Sequence, residues 1–305
     1  MIEFQNKLKK NSKEIDKFLE NNLPSGSSLN SKLFDAMRYS SISGGKKIRA
    51  YLVLESGRFI SAINNKTLSR SKYEELIAIG SAIEAIHSYS LIHDDLPAMD
   101  NSPIRRGKAS NHMKFDHHTA ILAGDGLLSW AFQIIGDSNL ISNAEKRSEI
   151  CFVLAKAIGP NGMVGGQQAD MDFTKYNSIN LDQIEWIQNH KTGALISCCS
   201  HVASILMNAS EEQKSNLINY ANYIGLAFQI TDDLLDLDGN EVFMGKPTRQ
   251  DTKNETPNFV TILGKEKALE RALESSRKAI NFIQNFKQES ENLVSLAKYT
   301  VNRNK

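Results

Sequence analysis

An all-α fold, a bundle of about ten helices, is predicted by three features: where the prolines fall, how the apolar residues are spaced, and an acidic motif that recurs in each half of the chain. The six prolines, Pro24, Pro97, Pro103, Pro160, Pro247 and Pro257, each stand where a helical pattern pauses, as suits a residue that clashes with the preceding helical turn. Apolar residues recur at helical spacing in Ile77-Ile83-Ile86-Leu91, in Ile150-Val153-Leu154-Ala157 and in Ile196-Val202-Ile205-Leu206. Strict alternation is scarce, and no convincing strand is expected. Pro24 to Ser28, Ser41 to Gly45, Asn64-Asn65 and Ser138-Asn139 read as connections between helices. None is long enough to be a linker, and there is no repeat of fixed period, so residues 1–305 are expected to form a single domain.

The 305 residues are 41% hydrophobic and 8% aromatic, enough to bury a deep pocket in a soluble globular protein. With 36 basic against 35 acidic residues the net charge is +1, so no global field exists to attract nucleic acid or an anionic membrane. Charge chemistry must therefore be local. Of the cysteines, Cys151 stands alone and Cys198-Cys199 are adjacent, a spacing that suits reduced core thiols better than a zinc or redox motif. Met1-Ile2-Glu3-Phe4-Gln5 lacks the basic start and apolar run of a signal peptide. The longest apolar stretch, Ala120 to Ile135, is broken by Asp125 and its flanking glycines and is too short to span a bilayer. A cytoplasmic protein without membrane insertion is expected.

The acidic motifs carry the chemistry. His93-Asp94-Asp95-Leu96-Pro97-Ala98-Met99-Asp100 follows a strongly helical run and meets a proline, so three carboxylates gather at a helix C-terminus, where the macrodipole already disfavours negative charge. In Thr231-Asp232-Asp233-Leu234-Leu235-Asp236, Asp232 and Asp236 are four residues apart on one helical face, with Gln229 three residues earlier. A single acidic patch reads as a solvated helix face. Two of them, preceded by Tyr89-Ser90-Leu91-Ile92 and Leu226-Ala227-Phe228-Gln229-Ile230, place carboxylates in apolar surroundings where they need compensation. Clusters of oxygen ligands with open positions suit magnesium shared with substrate phosphates.

Three basic clusters complement them: Gly44-Gly45-Lys46-Lys47-Ile48-Arg49, Arg105-Arg106-Gly107-Lys108, and Gly245-Lys246 with Arg249 and Lys253. Lys46 and Arg49 lie one helical turn apart after a glycine loop, a set of donors able to cradle a phosphate. His87 precedes Asp94 by seven residues, almost two turns, and faces the same side. The spacing of His112, His117 and His118 matches no usual zinc pattern. Together the clusters look like sites for two polyanions.

In these motifs the chain resembles the trans-isoprenyl diphosphate synthases, most closely the bacterial farnesyl diphosphate synthases, over nearly its whole length. Besides the glycine–lysine element and both aspartate motifs, the likeness includes Ala123-Gly124-Asp125, Gly165-Gly166-Gln167-Gln168-Ala169-Asp170, Lys191-Thr192-Gly193-Ala194-Leu195 and the final Tyr299 to Lys305. The resemblance implies a helical bundle with the aspartate motifs facing across a deep central cavity, usually in a homodimer. It implies Mg2+ held by Asp94, Asp100 and Asp232, with Asp95 and Asp236 also in the metal set and Asp233 in support. Arg105, Lys191 and Lys246 would hold an allylic diphosphate, dimethylallyl or geranyl. Lys46, Arg49, His87 and Arg106 would hold isopentenyl diphosphate, and Thr192 and Gln229 would line the reacting centre.

The resemblance also makes Tyr89 and its neighbour Ser90 the floor for the growing tail, a bulky Tyr89 accompanying a fifteen-carbon limit. Helical geometry alone puts Tyr89 about 140° around from Asp94. Farnesyl diphosphate is thus the main expected product, with geranyl or geranylgeranyl diphosphate, or a non-catalytic regulatory homologue, as alternatives. A terpene cyclase would not need Lys46, Arg49 and Arg106. The sequence departs from the family pattern at Asn101-Ser102-Pro103-Ile104, at Ala50 in place of proline, and at Thr256 in place of a lysine that contacts the allylic diphosphate.

Overall fold

In this computed structural model several helices open on a local capping residue: Ser69, Asp116, Asn180 and Asn258. The structure describes residues 2–27, 29–42, 44–173, 179–238, 257–286 and 289–303. Lys246, Pro247, Arg249, Lys253 and Thr256 lie outside the described residues. Every described proline falls outside a helix, as the sequence predicts.

The chain divides into two compact units, one of Ile2–Leu54 with Ser69–Cys151, the other of Glu55–Leu68 with Phe152–Lys305. The N-terminal unit holds α1 (Ile2–Asn22), α2 (Ser31–Ser41), the start of α3 (Ile48–Ile63), α4 (Arg70–Asp94), a short α5 (Asn111–Lys114), α6 (His117–Gly136) and the start of α7 (Ala144–Ile158). Helix α4 is its axis. Ser69 opens it by accepting a hydrogen bond from the Lys72 amide, and Ile77, Ile79, Ile83 and Ile86 bury its length. Each such side chain contributes about 1.5–3 kcal/mol, against about 1–2 kcal/mol for ordering one residue's backbone. Phe4, Leu8, Ile15 and Leu19 form the buried stripe of α1, and Phe4 meets Tyr51 edge to face at 5.5 Å.

Helix α4 packs chiefly on α6. Asp116 caps α6 through the Thr119 amide at 2.7 Å. Helix α6 has 20 residues and, among those described, is the one helix long and apolar enough to cross a membrane, yet half of that window is buried inside the protein. Length and composition alone cannot separate a core helix from a spanning one.

The C-terminal unit holds the rest of α3 and α7, α8 (Met163–Phe173), α9 (Leu181–Gln188), a π-helical turn (Asn189–Gly193), α10 (Ala194–Leu206), α11 (Glu211–Asp238), α12 (Phe259–Leu263), α13 (Lys265–Asn281) and α14 (Glu291–Val301). Ala268, Ala272, Ser275, Ser276 and Ala279 give α13 a narrow buried face, which lets α11 pack closely along it. Phe259, Ile230, Leu234 and Ile184 close the core there. The described cysteines are all free, with Cys198 and Cys199 buried.

The all-α expectation holds with one correction. Ile104–Arg105 (β1) and Lys108–Ala109 (β2) pair antiparallel, Ile104 opposite Ala109. Their turn carries positive φ at both central residues, 52° at Arg106 and 73° at Gly107, the backbone a two-residue hairpin favours. Four residues are too few for a visible alternation.

Candidate active site

In the N-terminal unit the first aspartate motif folds back on the end of α4. The Asp100 amide donates to the Asp94 carbonyl at 2.9 Å, while the amides of Asn101 and Ser102 reach the Leu96 and Asp95 carbonyls at 3.1 Å. Asp100, exposed, is thereby returned beside half-buried Asp94. Asp95 turns the other way and is 2% exposed. It grips Arg105 with two oxygens, from Nη2 at 2.5 Å and Nε at 3.0 and 3.2 Å. Burial pushes the Asp95 carboxyl up and Arg105 pulls it back. The hairpin that bears Arg105 is pinned by the Tyr39 hydroxyl, which donates to the Ala109 carbonyl at 2.8 Å.

Arg106, in its strained turn, reaches the glycine loop and donates from Nη1 to the Gly44 carbonyl at 3.2 Å. A Cβ on Gly45 would stand 3.0 Å from the guanidinium carbon and crowd it, and the φ of 78° there also favours glycine. The two lysines then part ways. Lys46 is exposed, whereas Lys47, at φ 49°, is drawn inward, donating to the Ser41 carbonyl at 2.6 Å and pairing with Asp16 at 3.5 Å. Glu84, 2% exposed on α4, accepts from the Arg49 and Ala50 amides, each at 3.1 Å. It caps α3 and fixes where Arg49 begins. A proline at position 50 could not make the second bond.

Half-buried His87 reports the charge gathered there. Its imidazole is held well below its ordinary value, first by burial and then by Arg49, Arg106, Lys47 and Arg105. It is neutral at physiological pH, in a strongly positive local field.

In the C-terminal unit the π turn places Lys191 and Thr192. A Cβ on Gly166 of α8 would stand 2.1 Å from the Lys191 amide nitrogen, and one on Gly225 of α11 would stand 3.3 Å from the Gly193 Cα. Two glycines thus let neighbouring helices clasp the widened turn. Lys191 Nζ is 2.6 Å from Asp170. The Thr192 hydroxyl donates to Gln229 Oε1 at 3.2 Å, Gln229 Nε2 donates to Asp233 at 3.3 Å, and Asp233 accepts from the Phe259 amide at 3.0 Å. Asp233 and Asp236 are buried at 5% and 4%. Asp232 keeps a 30% exposed side chain and pairs with Arg303 at 2.8 Å, whose guanidinium lies over the Phe228 ring at 4.0 Å.

A family model described as polyprenyl synthetase matches residues 30–299. The chain belongs to that family and is a transferase. This polyprenyl synthetase is 40% identical over 275 residues to the farnesyl diphosphate synthase of Micrococcus luteus, 90% of each chain being covered. The solved FPP/GFPP synthase of Zymomonas mobilis superposes with a TM-score of 0.86 at 34% identity, covering 98% of this chain and 99% of the other. A geranyltransferase from Helicobacter pylori, solved with magnesium and isoprenyl diphosphate, gives 0.83 at 29% identity over 98% and 97% of the two chains.

In this polyprenyl synthetase Asp94 and Asp100 in the N-terminal unit, and separately Asp232 in the C-terminal unit, offer carboxylate oxygens with solvent access, the kind of donor that suits a hard divalent cation. Among the described residues, no three His, Cys, Asp or Glu side chains converge closely enough to form a metal site by themselves. Within the N-terminal unit Arg49, Arg105, Arg106 and His87 share one electrostatic neighbourhood. Within the C-terminal unit Lys191, Thr192, Gln229 and Asp233 form linked contacts, with Asp232 next along α11. Tyr89 is buried on α4, and Ser90 donates to the His87 carbonyl at 3.0 Å. Sequence reading assigned no role to Glu84, Asp170 or Arg303. A lone acid inside the apolar run Ile83-Glu84-Ala85-Ile86 was the available signal for the first.

Proposed function

We propose that this polyprenyl synthetase condenses isopentenyl diphosphate head to tail with dimethylallyl and geranyl diphosphates, giving mainly farnesyl diphosphate. The observation that carries the reading is the cationic field around His87, built by Arg49, Arg106, Lys47 and Arg105 within reach of the first aspartate motif. A cluster of like charge is costly to assemble unless an anion joins it.

Lys46, Arg49 and Arg106 serve the diphosphate of isopentenyl diphosphate, and neutral His87 adds a hydrogen-bond donor to it. Arg105, oriented by Asp95, serves the allylic diphosphate, as does Lys191, held meanwhile by Asp170. Asp94 and Asp100, and on α11 Asp232 with Asp236 in support, would hold magnesium, which would supply Lewis-acid neutralisation of the leaving diphosphate. The allylic carbon–oxygen bond breaks with its electron pair on diphosphate. The Thr192 hydroxyl and Gln229 carbonyl oxygens then face the allylic cation, fixed by the bonds that run on to Asp233. The isopentenyl alkene attacks that cation, forming the new carbon–carbon bond, and the released diphosphate takes the proton lost as the double bond re-forms. Tyr89 sets the floor that stops the tail. The protein acts as a cytoplasmic homodimer.

Purified protein is given magnesium, isopentenyl diphosphate and each allylic starter in turn, and the products are sized after phosphatase treatment. Fifteen-carbon product is expected; no condensation with any starter rejects the reading. Light scattering tests the dimer.

A further inference from the structure

Tyr89 does not stand alone on its helix. One turn later His93 meets it edge to face, with ring centroids 5.6 Å apart at 80°. The imidazole is itself held from α6: Nε2 lies 3.0 Å from the Ile121 carbonyl oxygen, to which it donates, and 4.0 Å from the Asp125 carboxylate. Between those two α6 residues sits Gly124, where a Cβ would stand 2.1 Å from Nε2. The imidazole therefore occupies the notch that glycine leaves. One ring links three things: the Tyr89 phenol ring, a backbone carbonyl of α6, and a position that admits no side chain.

We propose that His93 is a positioning residue for product length, clamping the Tyr89 ring so that it resists the growing tail. The inference rests on the reading of Tyr89 as the floor. A tail longer by one five-carbon unit removes more apolar surface from water, while an unsupported tyrosine needs only a rotamer change to yield. A floor made of one rotatable ring would leak. Here the ring edge is backed by an imidazole whose far side is bonded across the helix pair, so moving Tyr89 means moving His93 against α6. The contact of His93 with Asp125, whose side chain is 60% exposed, adds little; the carbonyl bond and the notch hold the ring.

The test compares His93→Ala, His93→Gln and Tyr89→Ala with the wild-type enzyme, reading the ratio of twenty- to fifteen-carbon product by radiolabelled isopentenyl diphosphate, which needs only residual turnover. His93→Ala is expected to raise that ratio about tenfold. His93→Gln, whose amide still reaches the Ile121 carbonyl, should raise it much less. If Tyr89→Ala lengthens the product and His93→Ala leaves the ratio within twofold of wild type, the clamp is wrong while the floor stands. If Tyr89→Ala changes nothing, the floor reading fails and the clamp with it. Should His93→Ala lose turnover altogether, its crystal structure decides: Tyr89 displaced or in several rotamers supports the clamp, and an unmoved ring overturns it.

Discussion

Gly166 on α8 lies against the backbone of Lys191, so close that a methyl group on it would stand 2.1 Å from the Lys191 amide nitrogen. The lysine proposed to serve the allylic diphosphate is thus placed by a residue with no side chain. Gly166→Ala has to push the π turn away, at a cost of about 1–3 kcal/mol for overpacking against backbone. Its melting temperature should fall, and kcat should fall by more than stability explains. A variant with normal turnover would show that the turn is not held from α8.

Asp95→Ala removes the carboxylate that orients Arg105 and leaves a largely covered guanidinium without its partner. Because the Arg105 side chain keeps 23% exposure, the expected loss is about 1–3 kcal/mol, below that of a fully buried pair. Urea unfolding measures it. The KM for the allylic substrate should rise more than that for isopentenyl diphosphate.

The His87 imidazole is lowered by burial and then by its cationic neighbours, and the sign of its pH effect follows. Above about pH 6.5 it is neutral in both folded and unfolded chains and adds no pH dependence. As pH falls below that, the unfolded chain takes the proton first, so stability is lost from there down to the folded value. His87→Gln should flatten this part of the profile. Inorganic pyrophosphate should raise the imidazole pKa, read from its NMR proton shifts. A titration unmoved by pyrophosphate would remove His87 from the anion site.

Arg303→Met keeps an apolar stem over Phe228 but takes the cation from Asp232. If the arginine and magnesium compete for that carboxylate, the variant needs about two- to fivefold less magnesium, the scale of a partly exposed ion pair. Calorimetric titration with magnesium, alongside activity, checks it. An increased requirement would mean that Arg303 orients Asp232 for the metal.

Much of the helical frame is legible in the sequence because proline placement and apolar period are local signals: Ile77 to Leu91 falls inside α4, and Ile196 to Leu206 inside α10. The aspartate motifs are legible for the same reason, since the turn that returns Asp100 to Asp94 runs through Pro97. What was not legible depends on partners distant in sequence. Nothing in Asn189-His190-Lys191-Thr192-Gly193 announces a π turn; it exists because Gly166 and Gly225 admit it. The inward turn of Lys47 was equally hidden, because it depends on Ser41 and Asp16, which the glycine–lysine motif does not contain.

The Glu84 cap on α3 bears on affinity as well as on folding. Ala50 keeps an amide hydrogen that proline would lack, so Glu84 holds the first turn of α3 at two consecutive residues. On the proposed reading the residues after the glycine loop would meet their anion already arranged, with little freedom left to lose on binding. Preorganisation of this kind would tie recognition to a carboxylate buried on the neighbouring helix. Weakening the cap should loosen anion binding and lower the melting temperature in step.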